Sequence, residues 1–193
     1  MALHPHVQDF YREWLDKADS YEQENLSNYF NKAFSLFTLY NKLYAEATFT
    51  LARNDEITLN ERSGFPDRKG ATKYAPQFIG HERLLDTLEN DEKCSQAIVQ
   101  LIELIDRERF YIKLSMLYGE PQPEKDRDLS QRMRSTSKPR KIEAILDLIY
   151  SVRCNMFHGN KQFDQIQVEL LMPVTIILRM VIVELYRKLT NGM

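Results

Sequence analysis

A helix running from Ile142 to Met156 would carry Ile142, Ile145, Leu146, Ile149, Val152 and Met156 along one side. At about 100° per residue, Arg153 falls near the middle of that apolar stripe and not on its polar side. A guanidinium cannot shed its charge and is costly to bury unpaired, so Arg153 must meet a carboxylate, a row of carbonyls or a cleft that holds an anion. Five residues later His158 stands directly before Gly159 and Asn160, where the helix should end on its exposed carbonyls, a place that favours a protonated imidazole. An obligate cation and a group that titrates near neutrality therefore lie about one and a half turns apart. The plain alternative is structural, with Arg153 on a buried acid and His158 capping the helix.

A second feature is electrostatic. Between residues 125 and 141 stand Lys125, Arg127, Arg132, Arg134, Lys138, Arg140 and Lys141 against only Asp126 and Asp128, although the whole chain carries a net charge of −2. Such a run attracts phosphate, and Arg134, Arg140 and Lys141 are its candidate contacts. Charge alone equally describes a solvated, poorly ordered loop.

Helices must position these groups. Leu26, Phe30, Ala33, Phe37, Tyr40, Tyr44, Ala47 and Leu51 follow alternating spacings of four and three, which predicts a long helix with one continuous apolar seam. Val7, Phe10, Tyr11, Trp14 and Leu15 predict a shorter one before it, ending near Asp19 and Ser20. Gly64, Pro66, Gly70, Pro76 and Gly80 mark residues 60–80 as a loop with short turns. Helices then follow from His81 and from Cys94 through Ile105, the latter pattern running on to Leu114 and closed by Gly119, Pro121 and Pro123. A second flexible loop is expected over 119–138. Pro139 suits the first turn of the Arg153 helix, with Gly159 as its left-handed cap. Asp164 with Gln167 resembles a capping box that opens a last helix, apolar on nearly every side from Leu170 to Leu185.

The 193 residues, 43% of them hydrophobic, suffice for one domain with its own core and exclude disorder. No alternating strand pattern extends beyond a few residues, so the expected class is all-α, a single helical bundle. Cys94 and Cys154 cannot form a disulfide framework, and neither has zinc-ligand spacing, so a reducing cytoplasm is the default. No signal peptide is visible at the N-terminus, and His4 and His6 make no metal site. The apolar region Leu170 to Val183, interrupted by Pro173 and Arg179, reads as a buried helix short of a membrane span.

The string Val152-Arg153-Cys154-Asn155-Met156-Phe157-His158-Gly159-Asn160-Lys161 resembles the marker of the HEPN superfamily, an Arg, four to six intervening residues and a His at the end of a late helix. Phe34-Ser35-Leu36-Phe37-Thr38-Leu39-Tyr40-Asn41-Lys42-Leu43-Tyr44 is similar to the aromatic-rich early helix of that superfamily, where an Asn followed by x-Leu-Tyr is frequent. The chain departs from the pattern at Cys154, where active members usually carry a polar residue.

The resemblance implies a metal-independent endoribonuclease without cofactor, acting as a homodimer whose two copies of Arg153 and His158 line one cleft. The ribose 2′-hydroxyl would attack the adjacent phosphorus, His158 would transfer the proton, and Arg153 would hold the phosphate bidentately. Asn155, Asn160 and Lys161 are candidate substrate contacts, with Asn41 and Cys154 supporting the motif from behind. A toxin or defence effector restrained by an antitoxin or other regulatory protein fits this size and motif. The alternatives are a non-catalytic HEPN-like dimer that binds RNA, a nucleotide or a protein, and a structural adaptor whose Arg153 is paired internally.

Overall fold

The structure, a computed structural model, describes residues 3–115, 117–157 and 164–191. Among them the fold is all-α, with a single isolated bridge between Leu114 and Pro121 and no strand. The helices are α1 (Pro5–Asp19), α2 (Leu26–Arg53), α3 (Asp67–Lys69), α4 (Ala75–Ile79), α5 (His81–Asn90), α6 (Glu92–Asp106), α7 (Pro123–Met133), α8 (Lys138–Phe157) and α9 (Val168–Asn191). The predicted seam of α2 is its buried side, where Ala33, Phe37, Tyr40, Tyr44, Ala47 and Leu51 all lose their solvent. One core unites the elements: α2 packs on α1 and α9, α9 on α6, and α8 on α5 and α7.

Residues 60–80 do not form the expected loop. After a 3₁₀ turn at Glu61–Ser63, α3 runs through a wide π-helical turn, Gly70–Tyr74, into α4. This segment is wedged between α2 and α8. Its glycine and proline have other uses than turns. A Cβ on Gly70 would stand 3.1 Å from the Tyr44 ring and 3.3 Å from Thr48 Oγ1, so the glycine permits close approach to α2. Pro76 lies in the first turn of α4, where its missing N–H costs nothing. The Tyr40 hydroxyl fastens the wedge to α2 by donating to the Ala71 carbonyl at 2.6 Å.

The second expected loop is also largely helical. Helix α6 stops at Asp106, with Glu108 in left-handed backbone (φ 52°), and Phe110 to Leu114 run extended instead of continuing the helix. Asp126, buried on α7, accepts the backbone N–H groups of Ile112 and Lys113 at 3.1 and 2.9 Å. Leu129 and Met133 sit in the core below it, which orders a segment whose charge suggested a solvated loop.

Asp164 caps the entry to α9 by accepting from the Ile166 N–H, through a 3₁₀ turn at Gln165–Gln167. The helix passes straight through Pro173, and the Gln100 amide donates to the Glu169 carbonyl that the proline leaves without its helical donor. The continuous run Gln165–Asn191 is long and apolar enough to cross a membrane by length and composition alone, contrary to the expectation that it falls short. Much of it is nevertheless interior: Leu170, Leu171, Val174, Ile177, Leu178, Val181, Ile182 and Leu185 all belong to the core.

Candidate functional site

The wedge brings α2 and α8 to one carboxylate on α3. Asp67, opening α3, accepts from the Arg153 guanidinium (Nη1 to Oδ2, 2.9 Å), from the Tyr150 hydroxyl (2.8 Å) and from the Tyr44 hydroxyl. Tyr44 has only one hydroxyl proton to donate, and it is engaged in the hydrogen bond to Asp67. Asn41 therefore turns its amide NH₂ toward the Tyr44 oxygen (2.9 Å) and the Phe37 carbonyl, and its carbonyl oxygen toward Arg153 Nη2 at 3.0 Å. The Arg153 guanidinium also lies 5.4 Å from the centre of the Tyr150 ring. Its side chain is 21% exposed and that of Asp67 43%, so the pair sits at the surface end of a buried network.

Protonation follows from these contacts. Burial would raise the Asp67 pKa, but the Tyr44, Tyr150 and Arg153 donors outweigh it and leave the carboxyl below its ordinary value. Burial, and then donation to Asp67, push both tyrosines well above theirs. Both therefore act as fixed donors at neutral pH, and neither supplies a base. Arg153 loses something to burial and regains more from its neighbours, staying a cation.

A second polar cluster lies one to two turns back along α8. Asp147 is buried and faces three cations: Lys113 at 2.8 Å, Arg132 at 3.2 Å, and Arg68. Lys113 Nζ also donates to Ser151 Oγ at 2.8 Å. Burial lowers the Lys113 pKa, and Asp147 restores only part of it. Asp147 is itself held low: burial acts upward, but Lys113, Arg68 and Arg132 prevail.

The residues singled out from the sequence are thus partly brought together. Arg153 and Asn41 meet. Cys154 is a free thiol, half-buried on the same helix end. Asn155 is buried and donates to the Ile112 carbonyl at 2.9 Å, tying α8 to the extended segment. Arg140 and Lys141, the candidate contacts of the basic run on α8, do not sit beside Arg153. Lys141 lies twelve residues earlier on α8, about 18 Å away at 1.5 Å per residue. Acids neutralise much of that run: Arg134 pairs with Asp106, Lys138 with Asp86 and Lys141 with Glu89, while Arg140 is exposed. His158, Asn160 and Lys161, with the Gly159 cap, lie outside the described residues.

Asp67, Tyr150, Arg68, Lys113 and Asp147 were not singled out from sequence. Asp147 and Ser151 are four apart on the predicted helix, a polar pair that the apolar stripe outlines; nothing local marks Asp67. Among the described residues no group of three His, Cys, Asp or Glu side chains converges as metal ligands do. Comparison of the chain with protein-family profiles, with curated proteins and with solved structures finds no match.

Proposed function

We propose that this chain is a HEPN-type endoribonuclease that acts as a homodimer and needs no metal, with Arg153 and His158 as its catalytic residues. The observation that carries the reading is the setting of Arg153. Its two terminal nitrogens are held by Asp67 and Asn41 at the surface end of the network, at the close of the helix that leads into His158. A guanidinium oriented in this way is prepared to meet phosphoryl oxygens where negative charge grows. His158 takes the 2′-hydroxyl proton, the 2′-oxygen bonds to phosphorus, and the bond to the 5′-oxygen breaks as that oxygen takes a proton from solvent water. The products are a 2′,3′-cyclic phosphate and a 5′-hydroxyl. Asn160 and Lys161 are the further proposed contacts to that phosphate. The half-exposed row Met172, Ile176, Met180 and Val183 on α9 offers the second copy an apolar face. An antitoxin or other regulator would act by covering the Arg153 end of α8.

One observation favours a second reading, a non-catalytic module that binds RNA, a nucleotide or a protein: the Arg153 charge is already shared with a carboxylate. Incubating the purified protein with single-stranded RNA in excess EDTA separates the two. Cleavage to cyclic-phosphate ends, lowered about a hundredfold or more in His158→Ala while RNA still binds, is the expected result. Binding without any cleavage would assign the chain to the second reading.

A further inference from the structure

The Asp147 cluster holds more positive charge than its own stability requires. One buried carboxylate would be matched by Lys113, whose side chain is only 11% exposed, yet Arg132 and Arg68 converge on it as well. Asp128 answers Arg132 at 2.7 Å, which leaves three cations on two carboxylates. The excess is carried outward by Arg68. Its side chain is 59% exposed, and its one side-chain hydrogen bond among the described residues goes to Asp147, so other N–H groups of its guanidinium face solvent.

The position of Arg68 is equally informative. Its guanidinium lies 5.8 Å from the centre of the Tyr150 ring, the same ring that Arg153 approaches to 5.4 Å. Two like charges share one aromatic ring, and the Asp67 carboxylate next to Arg68 in the chain faces Arg153. From Asp147 to Arg153 is six residues of helix, about 9 Å. The Asp147 cations and Arg153 therefore stand along the last turns of α8, with the Tyr150 ring between Arg68 and the proposed catalytic arginine.

We propose that Arg68, Arg132 and Lys113, oriented by Asp147, form a phosphate subsite that holds the RNA backbone beside the phosphate engaged by Arg153. This rests on the RNA reading of Arg153 but not on cleavage. Arg68 makes the outward contact, Arg132 supports it, and buried Lys113 supplies field without needing to touch the strand. Tyr150, fixed by its bond to Asp67, keeps the two guanidinium groups apart.

The test is the salt dependence of binding of a fluorescein-labelled 2′-O-methyl oligouridylate, which cannot be cleaved, followed by anisotropy with the full-length protein. Arg68→Gln should weaken binding about fivefold at low salt and reduce the slope of log affinity against log salt by about 0.7, the share of one phosphate contact to a single strand. Arg68→Lys should restore most of the slope, and Arg132→Gln should weaken binding in the same direction. Arg12→Gln, an equal charge change on α1, should leave both quantities as in the parent. The proposal is overturned if Arg68→Gln and Arg132→Gln behave like Arg12→Gln, or if the parent binds no oligonucleotide. A parent that binds with this Arg68 dependence but cleaves no RNA upholds the subsite and removes only the nuclease reading.

Discussion

Replacing Asp147 by alanine tests the electrostatic design of α8 most directly. The substitution leaves Lys113, Arg132 and Arg68 facing one another without the carboxylate they share. Removing one partner of a buried ion pair typically costs about 3–5 kcal/mol, because a desolvated charge is stranded. Lys113, nearly buried, counts in full, whereas Arg68 and much of Arg132 rehydrate, so the lower end applies, about 3 kcal/mol. For a chain of this length that corresponds to a fall of about 6–12 °C in Tm, read by far-UV circular dichroism at neutral pH.

The pH dependence follows from the same contacts. The folded pKa of Asp147 is lowered, so its contribution is complete above the unfolded value of about 3.9 and is lost as pH falls below that through the folded value. The variant should lack this acid loss. Lys113 also has a lowered folded pKa, so stability rises with pH between that value and about 10.4 in the unfolded chain. Without Asp147 that interval opens at lower pH, and the variant should recover relative to the parent under alkaline conditions. Lys113→Met combined with Asp147→Leu should cost less than the sum of the two single changes. A single variant within about 1 kcal/mol of the parent, or strict additivity in the double, would refute the reasoning.

Two further substitutions probe the elements that place the site. Asp126→Ala strands the Ile112 and Lys113 N–H groups and should cost about 2–3 kcal/mol, with faster hydrogen exchange at those two amides as the specific sign; unchanged exchange would show that the segment is held otherwise. Tyr44→Phe removes one donor to Asp67, so the Asp67 carboxyl, titrated by NMR, should move up toward its ordinary value with a loss of about 1 kcal/mol, and an unmoved titration would count against the network.

How much of this was legible beforehand depended on whether the signal was local. The seam of α2, the entry of α8 at Pro139 and the Asp164 cap were readable because helical burial imprints a period of 3.6 on the chain and capping needs particular side chains. Arg153 was conspicuous for the same reason, as a charge inside a stripe that should be apolar, and Asn41 was identified on the early helix. Glycine and proline misled between 60 and 80, since Gly70 answers to the Tyr44 ring, a contact 26 positions away in the chain. The countercharges of the basic run, Asp86, Glu89 and Asp106, were not readable from the run itself, because they lie on α5 and α6. The partner of Arg153 is 86 positions away, and three cations from three segments converge on Asp147. Sequence periodicity by itself determined that the chain folds into helices and which residue in them was electrostatically out of place. Only the tertiary structure decided which carboxylate answers that residue, because an ion pair is set by distance in space, and distances between remote segments leave no periodic trace in the chain.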